Sequence, residues 1–133
     1  MALQLPHECL AGAALYVDLT AIVENYRILT NRLNGALSAA VVKADGYGLG
    51  AKKVGKALLK IGCKDFFVAH VEEGITLRSA LPSAKIHILN GLLPSALQIY
   101  QENSLIPVLG SVGDIEIWRT FTLDSQLPCD IHV

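Results

Sequence analysis

The apolar run Ala39-Ala40-Val41-Val42 ends at Lys43 and is followed by Ala44-Asp45-Gly46-Tyr47-Gly48-Leu49-Gly50. Small and β-branched residues in that run predict a strand buried on both faces. Strand alternation puts Lys43 on the face of Val41 and Ala39, so its stem starts among apolar groups. Burial disfavours the ammonium form, and a fixed, neutral primary amine condenses with a carbonyl to give a Schiff base. A lysine at a strand end also snorkels to water. Spacing by itself leaves both readings open. Tyr47 extends from the glycine-rich loop toward the same strand end, and Gly46, Gly48 and Gly50 allow a tight turn and a close approach of backbone to ligand.

The wording of Val41-Val42-Lys43-Ala44-Asp45-Gly46-Tyr47-Gly48-Leu49-Gly50 resembles the lysine signature of the alanine racemase family, in which this lysine carries pyridoxal 5'-phosphate (PLP). Val17-Asp18-Leu19-Thr20-Ala21-Ile22 with Asn25 is similar to that family's opening helix. Val68-Ala69, Glu72-Glu73-Gly74 and Leu77-Arg78 resemble the end of its second barrel strand and the helix after it, and Ile88-Leu89-Asn90-Gly91 the end of the third. The likeness runs from about Leu15 to Val133. It implies a PLP-dependent isomerase that interconverts L- and D-alanine and feeds bacterial cell-wall synthesis. Lys43 would hold PLP through an imine and move the Cα proton on one face. Tyr47 would donate a hydrogen bond to the cofactor phosphate, and Asn90 would line the cofactor pocket or serve the turn. The family's opposite-face acid/base is a tyrosine of the second domain of the partner subunit, so the resemblance implies a homodimer. Gly46 stands where the family often has alanine, and Leu49 where it often has histidine. Another PLP enzyme of this fold type, or a non-catalytic PLP-binding barrel protein, is the alternative.

The elements that must position Lys43 form a repeating pattern. Residues 1–12 read as a flexible tail and Ala14–Val17 as a short strand. Thr20 is the expected N-cap of a helix over Ala21–Leu33 closed by Asn34-Gly35. Strands are then expected at Ala39–Ala44, Asp65–His70, Lys85–Asn90, Leu105–Leu109 and, beginning a fifth, Cys129–Val133. Helices are expected between them at Ala51–Ile61, Glu72–Leu81, Pro94–Asn103 and Val112–Leu123. Strand and helix in strict alternation give an α/β fold with a parallel sheet. A doubly wound sheet competes, but its phosphate fingerprint is G-x-G-x-x-G, whereas the spacing here is G-x-G-x-G. The reading adopted is a partial (β/α)8 TIM barrel, which needs ~250 residues when whole. Residues 13–133 would supply the first four βα units and the start of strand five, with the second β-domain absent.

Composition narrows the function classes. A chain of 133 residues supports one domain, and its 52% apolar content is slightly rich, which suggests surface that something else covers. A net charge of −1 provides no basic field for nucleic acid or an anionic membrane. No apolar run approaches the ~20 residues of a membrane span. Cys9, Cys63 and Cys129 are far apart and read as reduced thiols of a cytoplasmic protein. His87 and His132 have no partner at ligand spacing, so no metal is assigned. His70 ends strand two and reads mainly as a loop histidine, while Glu72 and Glu73 favour their helix N-terminus through its dipole. The chain by itself is expected to be catalytically incompetent, to bind PLP weakly or not at all, and to associate by edge pairing or by completing a barrel across chains.

Overall fold

The computed structural model describes residues 12–125. Four short parallel strands form where small and branched apolar residues alternate: β1 (Ala40–Val41), β2 (Asp65–Val68), β3 (Lys85–Ile88) and β4 (Leu105–Pro107). They lie side by side in chain order, β1-β2-β3-β4. A doubly wound sheet reverses its order at a switch point. This sheet does not reverse, so every crossover steps the same way, as in the wall of a (β/α)8 barrel. The fold is a partial TIM barrel. The strand expected at Cys129–Val133 and the expected tail both reach outside the described residues.

Register explains which side chains are inside. Ala40, Phe66, Ile86 and Leu105 align in one row across the sheet, and none is more than 8% exposed. The next row, Val41, Phe67, His87 and Ile106, belongs to the other face, where Val41 is 46% exposed. Val42, Val68, Ile88 and Pro107 return to the buried side. That side is covered by the helices that follow the strands: α3 (Ala51–Lys60), α4 (Val71–Arg78), α5 (Leu97–Glu102, entered through a 3-10 turn at Pro94–Ala96) and α6 (Val112–Ser125). Val54 and Leu58 of α3, Val71 and Leu77 of α4, Tyr100 of α5 and Trp118 of α6 join the two strand rows in one core. Each fully buried side chain of this kind contributes about 1.5–3 kcal/mol.

Three expectations are corrected. Helix α1 (Leu19–Asn31) starts earlier than the reading from Thr20, because Asp18 is the N-cap. Its Oδ1 accepts from the amides of Thr20 at 2.8 Å and Ala21 at 3.1 Å. Ala14–Val17 forms no strand: among the described residues the sheet consists of β1–β4 alone. The strands also end early. Ala69 and His70, expected in β2, give their amides to a side chain of α4 instead of extending the ladder.

The amino-terminal ends of the strands are held by one guanidinium. Arg78, the last residue of α4, donates from Nε to the Asn103 carbonyl at 2.9 Å and from Nη2 to the Ser104 carbonyl at 2.8 Å. Its Nη1 reaches the carbonyls of Leu81, Pro82 and Ala84 at 3.2, 3.1 and 2.6 Å. The loops entering β3 and β4 are thus fastened to the same fork. Replacing Arg78 by Leu is expected to lower the unfolding free energy by about 2–4 kcal/mol, because partly buried carbonyls lose a charged donor. Arg78→Lys should recover less than half of that, since an ammonium cannot match the planar fork. Urea denaturation checks this: the midpoint should fall in the order wild type, Lys, Leu at similar slope, and equal midpoints would refute the staple.

Candidate functional site

Beyond β1 the backbone turns the wrong way for L-residues. The single helical turn α2 (Lys43–Tyr47) contains Ala44 at φ 51, Asp45 at φ 51 and Gly46 at φ 65. Tyr47 at φ 56 and Gly48 at φ 83 continue it. This is a left-handed turn over five successive residues. Left-handed backbone costs roughly 1–2 kcal/mol per residue that carries a Cβ, so Ala44, Asp45 and Tyr47 together hold roughly 3–6 kcal/mol of strain. Local hydrogen bonds offset part of it. Gly46 N–H donates to the Val42 carbonyl at 2.9 Å and Gly48 N–H to the Ala44 carbonyl at 3.0 Å. Asp45 Oδ1 accepts from the Ala51 amide at 2.8 Å, which satisfies the start of α3. Gly50, at φ 92 and ψ 88, occupies backbone that a side chain would not tolerate. At Gly46 a Cβ would come within 3.1 Å of the Ala51 nitrogen, so the chain crosses itself there with no room to spare.

Lys43 opens this turn, at the carboxyl end of β1. Six of the seven lysines are exposed; Lys43 alone is half-buried. Among the described residues, no hydrogen bond or ion pair engages its ammonium. Tyr47, 63% exposed, stands on the same turn. His70 and Asn90 follow β2 and β3 at the same pole, both exposed, and are brought together: Asn90 Nδ2 lies 3.2 Å from His70 Nδ1. No hydrogen bond links Asn90 or His70 to Lys43 or Tyr47 among the described residues. The three expected residues, Lys43, Tyr47 and Asn90, therefore share the strand-end pole, with His70 beside Asn90.

Sequence reasoning missed the residue that joins these strand ends. Glu73, in the first turn of α4, accepts the Ala69 amide at 2.7 Å and the His70 amide at 3.2 Å on Oε2. Its Oε1 accepts the Ala44 amide at 2.7 Å, from a residue 29 positions earlier. Burial raises the pKa of this carboxyl, but the amides of Ala44, His70 and Ala69 outweigh burial and hold it below the usual glutamate range. A dipole role alone is thus too small an account of Glu73. The only local signal was a glutamate at the third helical position, the usual place for a reciprocal cap. Behind the turn, on the helix side, Val42, Asp45, Gly50, Val68, Glu73 and Thr76 line a cleft of about 630 Å³. Lys43, Tyr47 and Asn90 are not in its walls.

The donor set at the strand-end pole suits a ligand with a carbonyl carbon and an anionic tail. An amine outside any ion pair can attack the carbonyl, and a phenol hydroxyl on the same turn can donate to the anion. Comparison with known proteins gives this chemistry a family. The family model described as "Alanine racemase, N-terminal domain" matches residues 17–133. The alanine racemase of Methylobacterium sp. (strain 4-46) is 45% identical over 124 residues, covering 92% of this chain and 34% of the relative. Among solved structures, the alanine racemase from Bartonella henselae with covalently bound pyridoxal phosphate superposes with a TM-score of 0.82 at 39% identity, over 86% of this chain and 32% of that one. The alanine racemase from E. faecalis follows with a TM-score of 0.79 at 33% identity, over 88% and 32%. The chain spans about a third of the length of these relatives. It belongs to the alanine racemase N-terminal domain family.

Proposed function

We propose that this chain is the cofactor-bearing part of a PLP-dependent alanine racemase, with Lys43 as the catalytic lysine and Tyr47 and Asn90 as further cofactor contacts. The observation that carries the reading is the half-buried amine of Lys43 at the mouth of β1, outside any ion pair among the described residues. When bound, PLP supplies an electron sink for the charge left at the substrate Cα. Lys43 would hold that group through Nζ, and its amine would give or take the Cα proton on one face. Tyr47 donates its hydroxyl to the phosphate, a charge-assisted bond worth about 1.5–3 kcal/mol. Asn90, hydrogen-bonded to His70, would line the cofactor site.

Racemisation needs a second proton carrier on the opposite face of Cα. The reading places it outside these 133 residues, in a cytoplasmic homodimer acting on alanine, so the chain alone does not racemise. In the longer protein, Lys43→Ala should lower racemisation by at least about 10²–10⁴-fold, the usual contribution of a positioned base. With PLP, the longer protein should show an imine absorption band that vanishes in Lys43→Ala; a band that survives the substitution refutes the assignment. Tyr47→Phe should keep the band but raise the PLP concentration needed to half-fill it by about tenfold or more. Unchanged affinity would remove Tyr47 from the phosphate site.

A further inference from the structure

We infer that Glu73 is a positioning residue for Lys43, its carboxylate clamping the strained turn that carries the lysine onto the end of β2. The clamp itself stands on geometry; its catalytic meaning rests on the reading of Lys43 given above. A glutamate at this helical position ordinarily caps its own helix, and Oε2 does so through the Ala69 and His70 amides. Oε1 does something else. It takes the amide of Ala44, the residue directly after Lys43 and the first in left-handed backbone, at 2.7 Å. One carboxylate thus ties β1, β2 and α4 together at the point where the amine must be aimed.

The residue type follows from this task. All three partners are N–H donors, so both oxygens must accept. Glutamine has the same shape but sets an amide N–H against one of the backbone N–H groups. Aspartate keeps the charge but is one methylene short of spanning both strand ends. Reactive geometry tolerates displacements of only about 0.5 Å, so release of Ala44 matters for the nitrogen beside it. The charged groups around Glu73 are His70 at the start of its own helix, Glu72 beside it, Asp45 on the turn, and Lys52 and Lys53 of α3 across the cleft.

Wild type, Glu73→Gln and Glu73→Asp forms of the longer protein test the inference with two readouts. The first is reductive trapping with PLP and borohydride, followed by peptide mapping of the pyridoxyl label. Wild type should label Lys43 in preference to the six exposed lysines. Glu73→Gln should lower that preference about 10- to 100-fold, with Glu73→Asp between. The second readout is the exchange protection factor of the Ala44 amide, which should fall about tenfold or more in Glu73→Gln.

In wild type that protection has a fixed pH sign. The folded carboxyl sits below its unfolded value, so the clamp is complete above the usual glutamate range and is lost as acidification passes through the lower folded pKa. Glu73→Gln should abolish this acid step at Ala44. If Lys43 labelling is unchanged while Ala44 loses protection, Glu73 only stabilises the fold and the positioning role is refuted. If Ala44 protection is unchanged in Glu73→Gln, the clamp itself is refuted. Should wild type show no preference for Lys43, the cofactor reading fails, and the Ala44 arm still decides whether the clamp exists.

Discussion

Everything at the strand-end pole depends on backbone bent against its own handedness. Five residues run left-handed after Lys43, and three of them carry a Cβ. Such a turn does not persist in an isolated peptide, because the cost recurs at each residue. Here the surroundings over-determine it: Val42 and Ala44 accept from inside, Asp45 reaches forward to α3, and Glu73 reaches across from α4. The glycines remove cost where it would be greatest, at Gly50 with φ 92 and ψ 88 and at Gly46 against Ala51. Strain at the site is therefore balanced by contacts from neighbouring units, so the lysine is placed by the fold rather than by its own stretch of sequence.

Helix α4 is the element through which that placement is transmitted. Its eight residues hold Glu73 in the first turn and Arg78 at the last position. The acid faces the helix N-terminus and the base its C-terminus, the arrangement that the backbone dipole favours. Each also does work beyond the helix. Glu73 ties the carboxyl ends of β1 and β2; Arg78 ties the loops entering β3 and β4. Between them Val71, Gly74 and Leu77 are buried, and at Gly74 a Cβ would meet Ile88 at 2.8 Å, so the helix lies close on the sheet. A change at one pole can be felt at the other because the lever between them is short and tightly packed.

The barrel wall was legible because each unit places apolar residues at alternate strand positions. Ala40, Phe66, Ile86 and Leu105 announce themselves as apolar at matching positions of each unit, and the register puts them in one line. Lys43 was singled out by the wording of the run around it, since its place at a strand end also suits a lysine snorkelling to water. Local boundaries were less legible. Thr20 and Asp18 are both good caps, and only the geometry of the entering chain chooses Asp18. Ala14–Val17 has strand composition, but a strand exists only beside another, and composition does not reveal the neighbour. Glu73 was hidden for the same reason: its decisive partner is 29 residues away, and Glu72 next to it looks identical in sequence.

The site separates holding a residue from using it. A buried lysine is commonly fixed by an ion pair, and a lysine so fixed must lose its partner before its nitrogen can attack anything. Lys43 is fixed through main chain. The amides on either side of the strand end and the carboxylate of Glu73 carry the structural duty, while the ammonium takes part in no hydrogen bond among the described residues. That division has a consequence for charge. Glu73 accepts from three backbone donors and makes no ion pair with Lys43 among the described residues. An acid placed the other way round, on Nζ itself, would favour the charged amine and oppose condensation. Clamping the peptide rather than the amine fixes the backbone beside Lys43 and leaves its Nζ outside any hydrogen bond among the described residues.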